Sequence, residues 1–319
     1  MATLNYTDHS DKVIYAVESN VSAAVSAVAA SWCRSALKYG LDPATDKQRE
    51  LLGGAELTRA RALNNSLLRV ARPVLDQMYR SVGKTGCCVI LTDAEGLILE
   101  SRTTAGDAEQ FEMAKLTPGA RWSEALEGTN GIGTCLAEDR AMIIHRDQHF
   151  HSRNIGMSCM DAPVHDHKGR LLAALDVSSC RDDHSEAMAG LVSAVVVDAA
   201  RRIERDYFCQ AFGDARIVFV SGEQDMGAAL LAIDRDDLVI GATRAARNLF
   251  GLDDKLLASS IPATDLLDAG GRPRGLWDAE RTALRCALAR AGGNATLAAK
   301  QLNIGRATLY RRLKRAGLG

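Results

Sequence analysis

Five of the seven histidines lie between His145 and His167, with Cys159 among them. In HRDQHFH, residues 145–151, a helix would set His145 and His149 one turn apart. That spacing suits a metal ion or an axial haem ligand, with Cys159 as a further donor. Against this, histidine-rich strings in a polar loop are commonly solvated surface, and no CxxC pair stands anywhere to anchor a metal. The other role open to His149 is that of a hydrogen-bond donor to a small ligand. Trp122, Thr129, Asn130, Thr134, Phe150 and Cys159 offer the mixture of aromatic wall and polar group that a small-molecule cleft uses, and each singly suits a structural role as well. Cys87 and Cys88 are adjacent, so on a strand they point to opposite faces; burial as small hydrophobes is the default and a redox switch the alternative. Gly83-Lys84-Thr85 resembles the end of a phosphate-binding loop. However, Met78 stands where the first glycine is needed, and the string follows a helix and precedes a strand, so it is read as a turn. GTNGIGT, residues 128–134, is not GxGxxG, and its glycines are expected to allow a tight turn against a sheet. No motif places a Ser-His-Asp or paired-carboxylate constellation, so no catalytic residue, no resident metal and no cofactor is expected.

The elements that position these residues follow from the apolar pattern. A chain of 319 residues with 47% hydrophobic content should form two or three domains with real cores. Asp11 to Tyr39 reads as one helix, with Val13, Val17, Val21, Val25 and Val28 near helical spacing, serving either core packing or a dimer contact. Glu56 to Ser81 reads as a second helical stretch restarted or kinked at Pro73. CCVILTDAEGLILES, 87–101, is a hairpin around Asp93–Gly96. A helical insert follows, then strands at 140–145, 157–166 and 171–179, then a long helix from Asp183 to Phe208. The pattern describes a central antiparallel sheet flanked by helices, an α+β domain. ALLAIDRDDLVIGATRAARNLFGL, within 228–252, reads as strand, Asp-Asp turn, strand and helix, with Ala245, Ala246 and Leu249 inward. AGGRPRG, 269–275, belongs to a Gly- and Pro-rich basic linker.

The last forty residues read as three short helices. Gly292-Gly293 stops the first, Asn294 caps the second, and Asn303-Ile304-Gly305 makes a turn of helix-turn-helix length. Ala298, Ala299 and Leu302 are suited to close helix contact. The third helix, Arg306 to Ala316, is expected to turn Ala307, Tyr310, Leu313 and Leu309 inward and Arg306, Thr308, Arg311, Arg312, Lys314 and Arg315 outward. From Asp278 onward the basic residues are 281, 285, 290, 300, 306, 311, 312, 314 and 315, against acids at 278 and 280 only. With the whole chain at −1, a basic tail sits on an acidic body, the asymmetry of a protein that reads nucleic acid. Eight cysteines at 33, 87, 88, 135, 159, 180, 209 and 286 are scattered in the way expected of a reducing cytoplasm. The first thirty residues show no signal-peptide pattern and no run of about 18 apolar residues occurs, so no membrane span is expected.

AGGNATLAAKQLNIGRATLYRRLKRAGL resembles the Fis-type helix-turn-helix that ends many bacterial enhancer-binding regulators. One departure is Gly305, where that family usually has a Ser or Thr cap. TPGARWSEALEGTNGIGTCL, 117–136, with His149-Phe150, SCMDAPVHD, LDVS and the upstream SWCRSALKYGLDP, resembles the GAF-type sensor domain of the acetoin-catabolism regulator family. Members use that domain to sense a small metabolite or a partner protein. The stretch between looks like the core of a PAS-type domain. Full-length members also carry an ATPase of about 240 residues between sensor and reader, for which this chain has no room.

The resemblances imply an N-terminal helical segment plus GAF-like sensor over 1–208, a small PAS-like α+β spacer or dimerisation domain over 209–268, a linker over 269–277, and an all-α Fis-type reader over 278–319. The expected function is sequence-specific DNA binding by a dimer, responsive to an effector and without ATP-driven sigma-54 remodelling. Arg306, Thr308 and Arg311 would face base edges, with Arg312, Lys314, Arg315 and Asn294 nearer phosphates and Tyr310 counted in the same set. RNA polymerase or another protein are further partners to consider. The alternatives are a redox, metal or haem sensor through His145, His149 and Cys159, or a partner-binding adaptor.

Overall fold

A computed structural model of the protein describes residues 6–19, 26–45, 51–220, 227–235, 237–258, 261–267, 280–281, 283–284, 287–288 and 291–318. Contacts divide the chain into two units, 1–232 with 241–252 and 233–240 with 253–319.

The first unit is built on a five-stranded sheet. Its strands are β1 (Cys87–Thr92), β2 (Ile98–Arg102), β3 (Met142–His145), β4 (Ser158–His165) and β5 (Leu171–Ser179), in the order β2-β1-β5-β4-β3 with every neighbouring pair antiparallel. The turns are those the sequence signals. Asp93 Oδ1 accepts from the amides of Glu95 and Leu97, and Gly96 takes φ 78°. At the second turn Asp166 Oδ1 accepts from Lys168 and Arg170 while Gly169 takes φ 76°. A carboxylate closing an Asx turn and a glycine free to adopt positive φ are what tight strand connections need.

Period-two alternation splits the strands between two cores. Val89, Leu91, Met160, Ala162, Val164, Ala173, Leu175 and Val177 point to one face. There they meet Leu67, Leu68, Val74, Leu75 and Met78 of one helix and Val192, Val196 and Ile203 of another. Each such side chain, fully buried, is worth about 1.5–3 kcal/mol relative to exposure. Cys88, Ile90, Cys159 and Ala174 point to the other face, against Phe111, Trp122, Ile132 and Cys135 of the insert. Cys87 and Cys88 fall in the two different cores, as adjacent strand residues must. Burial raises both thiol pKa values, which leaves them protonated and unreactive.

Two helix expectations need correction. The N-terminal run is not one helix: α1 covers Tyr6–Glu18, and α2 (Ala27–Cys33) starts afresh at Ser26, whose extended backbone and side chain cap it; a π turn, Arg34–Lys38, follows. Val13 is buried with Trp32 and Phe150, so at that position the seam is core; Val21 and Val25 lie outside the described residues. The break in the second stretch is also not at Pro73. Helix α3 (Gly54–Leu63) ends at Asn64, whose φ −97° and ψ 17° leave the helical region, and α4 (Asn65–Val82) runs through Pro73 without interruption. Packing of its apolar face outweighs one lost hydrogen bond.

The insert contains α5 (Ala108–Met113), α6 (Glu124–Glu127) and α7 (Gly131–Glu138). The long helix that follows the sheet is α8 (Glu186–Ala211), capped by Ser185. Then come β6 (Arg216–Phe219), β7 (Leu230–Ile233), β8 (Leu238–Ala242) and α9 (Arg244–Phe250), capped by Thr243. The strand–turn–strand–helix order matches the sequence reading, and Ala246 is buried. Leu249, expected inward, is exposed although it lies one turn beyond Ala246 on the same face, near the end of a helix of seven residues. The second unit contains α10 (Asp254–Ala258), β9 (Ile261–Pro262), which pairs with β8, and α11 (Ala263–Leu267). It ends in α12 (Ala295–Gln301) and α13 (Arg306–Arg315). The expected linker over 269–277 lies outside the described residues. Among the described residues, no helix is long and apolar enough to cross a membrane.

Candidate functional site

The C-terminal site is assembled by caps and a turn. Gly292 and Gly293 take φ 56° and 82°. Asn294 Oδ1 accepts from the amides of Thr296 (3.0 Å) and Leu297 (3.2 Å), satisfying the open end of α12. Asn303, at φ 54°, turns the chain into α13, whose N-cap Gly305 supplies no side chain. Ala298, Ala299, Leu309 and Leu313 are buried together with Leu284 and Ala287 of the preceding segment, whose described residues are helical. Replacing Asn294 with alanine is therefore expected to lower the stability of this unit by about 1 kcal/mol, read from its thermal unfolding.

Burying Leu309 and Leu313, four residues apart, fixes the phase of α13. Arg306, Arg311, Arg312, Lys314 and Arg315 are exposed and Thr308 is half-buried. Ala307 and Tyr310, expected inward, face solvent instead, because they sit off the 309–313–316 stripe. The exposed Tyr310 ring lies beneath the Arg306 guanidinium, 5.7 Å from its centroid. Arg312 Nε is 3.3 Å from Glu280 Oε1, which ties the helix to the preceding segment.

In the sensor unit the seven candidate residues are all buried, and several are joined directly: Phe150 N donates to the Thr129 carbonyl (3.0 Å) and Asn130 N to Thr134 Oγ1 (3.3 Å). Trp122 Nε1 donates to the Lys115 carbonyl (3.0 Å). Phe150 packs with Val13 and Trp32. Asn130 caps α7: its Oδ1 accepts from Gly133 N and its Nδ2 donates to the Gly128 carbonyl, both at 2.8 Å. Thr129 and Thr134 lie 2.7 and 3.3 Å from Ser31 Oγ, which also donates to Glu124 Oε2 (2.8 Å). Glu124 in turn receives Arg34 at 2.7 and 3.0 Å, and Arg34 Nη1 reaches Glu138 at 2.7 Å. The hydrogen bonds to Glu124, acting against burial, push the Arg34 pKa up, so the guanidinium is charged throughout. Thus SWCR and WSE, two separated motifs, form one ion-paired network. The legible signal was a charged residue in each, inside otherwise apolar strings.

His149 and Cys159 belong to a second network. His149 Nδ1 is 2.9 Å from the Arg146 carbonyl and must donate to it, so in the neutral ring Nε2 is an acceptor, 3.5 Å from Cys159 Sγ. Ser178 Oγ is 3.2 Å from that sulfur and donates to Asp176 Oδ2 at 2.8 Å. Asp176 stands opposite Asp161 in the β4–β5 ladder, and both are fully buried. Neither Asp161 oxygen has a geometrically acceptable hydrogen-bond partner. The helical spacing of His145 and His149 does not hold, since β3 ends at His145 and a 3₁₀ turn, Arg146–Gln148, follows; His145 Nδ1 pairs with Ser158 Oγ at 2.8 Å. Among the described residues no three His, Cys, Asp or Glu side chains gather as metal ligands.

The acid pair was missed because each aspartate, in SCMDAPV and AALDVSS, reads alone as a polar residue on a strand; only register brings them together. Burial, then the neighbouring Asp176 charge, pushes the Asp161 carboxyl well above the usual range, and burial raises Asp176 to about 7 despite the Ser178 hydroxyl. Unfolded carboxyls titrate near 3.9. Groups raised in the folded state stabilise it below that value, and the contribution is lost as pH climbs through the folded pKa. Sensor stability is therefore expected to decline as pH rises from about 4 through about 7, and Asp161→Asn to flatten that decline, in urea unfolding at each pH.

Comparison with known proteins places these sites. Residues 66–203 match the GAF domain, and residues 275–315 match the bacterial regulatory protein, Fis family. The acetoin catabolism regulatory protein of Cupriavidus necator is 31% identical over 221 residues, 68% of this chain and 33% of that protein. The acetoin dehydrogenase operon transcriptional activator AcoR of Bacillus subtilis is 25% identical over 176 residues, 55% of this chain and 29% of that protein. The chain spans about a third of the length of the curated relatives it matches. Among solved structures, the E. coli DhaR(N)-DhaL complex aligns over 75% of this chain and 80% of that chain, at TM-score 0.52 and 16% identity, a likeness of fold.

Proposed function

We propose that this chain, which carries a GAF domain and a Fis-family helix-turn-helix and is homologous to the acetoin catabolism regulators, is a sequence-specific transcriptional regulator rather than an enzyme. The observation that carries this is α13: a helix pinned by Leu309 and Leu313 that turns Arg306, Arg311, Arg312, Lys314 and Arg315 to solvent. Such a helix fits the major groove, with Arg306, Thr308 and Arg311 at base edges and Arg312, Lys314, Arg315 and Asn294 nearer phosphates. One short helix makes few contacts, so two copies would bind palindromic half-sites about one helical turn apart. Residues 204–274 separate the two matched domains, an interval too short for a 240-residue ATPase. The protein would therefore act by occupancy in the cytoplasm, repressing, recruiting polymerase or modulating another regulator. The GAF domain would sense a small metabolite or a protein partner, and the 209–268 module would relay or dimerise.

The test is a titration of the intact chain against promoter fragments at several salt concentrations, with pull-down from extract beside it. Log affinity should fall linearly with log salt, by about 0.9 per phosphate contacted. Arg311→Ala should cost about 1–3 kcal/mol on the preferred fragment only, and Lys314→Ala should weaken all fragments and reduce the slope by about 1. Absence of any preference over random duplex at low salt, together with a captured protein partner, would replace this reading with an adaptor.

A further inference from the structure

On the α8 side of the sheet, four charged groups meet at one corner of the first unit. His165 ends β4 and is buried. Its Nδ1 is 2.5 Å from Glu204 Oε1 on α8, and its Nε2 is 2.7 Å from Asp139 Oδ1. Asp139 follows α7 in a left-handed conformation, φ 50°, which aims its carboxylate into the corner. Arg244, the first residue of α9, reaches the same point: its Nη1 is 2.6 Å from Asp139 Oδ2 and lies against His165 Nε2. The groups border a cleft of about 270 Å³ floored by Ala162, Pro163 and Val197, with Arg201 and Arg205 of α8 also lining it.

We propose that His165 is a proton-operated latch: α9 docks on the sensor domain through Arg244 while the imidazole is neutral, and is released when the imidazole is protonated. In the neutral ring Nδ1–H donates to Glu204, and Arg244 Nη1 donates to both the Nε2 lone pair and Asp139 Oδ2; Nε2 and Asp139 Oδ1 then face each other as two acceptors that only the guanidinium between them holds together. The corner that receives the guanidinium then carries two negative charges. In the imidazolium Nε2–H donates to Asp139, the corner carries one net negative charge, and a donor faces Arg244 where an acceptor stood. The attraction on Arg244 weakens, since a positive charge now stands in contact with the guanidinium while Asp139 and Glu204 keep theirs. Arg201 and Arg205 line the same cleft, but they lie on α8 and do not leave with α9, and Arg205 is paired with Asp206 at 2.8 Å. Burial pulls the His165 pKa down, Glu204 and Asp139 more than compensate, and the balance lies above its ordinary value, with Arg244 acting against the rise. The transition therefore falls near and above about pH 6.5. Two effects of opposite sign coexist: the fold as a whole gains from the His165 proton, and this gain is lost as pH rises through the folded pKa; the α9 contact loses from the same proton.

The latch goes beyond the DNA-binding reading, and its readouts involve neither DNA nor effector, so the two can fail separately. Binding linkage is reciprocal: the factor by which the proton weakens docking equals the factor by which docking weakens proton affinity. In the intact chain, the His165 pKa followed by NMR should rise in Arg244→Ala. A rise of one unit corresponds to a tenfold change in docking. Amide exchange over 241–250, corrected for intrinsic rates, should show opening greater at pH 6 than at pH 8 by that same factor. The difference should vanish in His165→Gln, which keeps a hydrogen-bonding side chain without a charge change. Arg244→Gln serves as a second variant should the alanine perturb α9 itself. A His165 pKa that stays fixed or falls without Arg244, or opening that ignores pH in the wild type, overturns the latch.

Discussion

Replacing Arg34 with alanine is expected to cost the sensor unit about 3–5 kcal/mol, a large share of the roughly 5–15 kcal/mol that holds a domain together. The reason lies in what remains. The Glu124 side chain is 2% exposed, and without its two-pronged partner the carboxylate keeps only the Ser31 hydroxyl. A buried charge stripped of its counterion loses attraction but keeps its desolvation cost. Arg34→Lys should recover little, because a single ammonium cannot reproduce the paired contacts at 2.7 and 3.0 Å. Glu124→Gln in the Arg34→Ala background should recover part of the loss by removing the stranded charge. Urea unfolding followed by Trp32 and Trp122 fluorescence measures all of these. A loss below about 1 kcal/mol would show the pair to be as dispensable as an exposed one.

Gly133→Ala is expected to be nearly as damaging, about 3 kcal/mol, at the upper end of the usual range for overpacking. A Cβ there would lie 2.4 Å from Glu124 N and 2.7 Å from Trp122 O. Both are main-chain atoms, so no rotamer change relieves the clash, and α7 would have to retreat from the Trp122–Glu124 chain. Gly190, inside α8, supplies the control: a Cβ there meets nothing within 4 Å. Gly190→Ala should stabilise by about 0.5–1 kcal/mol, since alanine is the better helix former and stiffens the unfolded chain. Thermal unfolding of the two variants should therefore shift in opposite directions; a common direction would mean that helix propensity, not clearance, governs both sites.

The two substitutions also show where sequence stops being informative. The glycines of GTNGIGT read as a tight turn against a sheet, whereas 131–134 form the first turn of α7, and the atoms they approach are not legible in the sequence. Gly131 faces Asp161 and Cys159, and Gly133 faces the chain at Trp122–Glu124. The seven residues that could line a sensor pocket are all buried, and most of their polar atoms are engaged within the fold. Their partners across the fold were not legible in the sequence.

By itself the sequence determined what depends on near neighbours: the strands to within two residues, the hairpin turn at 93–96, the cap at Asn294, the glycine stop at 292–293 and the one-sided basicity of the last forty residues. Those are local because a turn or cap is satisfied within about four residues. The tertiary structure alone decided the pairings between distant stretches: Arg34 with Glu124, Asp161 with Asp176, and His165 between Glu204 and Arg244. It also decided the rotation of α13, which sends Tyr310 outward beneath Arg306. An ion pair or a buried acid costs or stabilises according to what faces it across the fold, and that identity is fixed by strand register and helix phase, which no local pattern encodes.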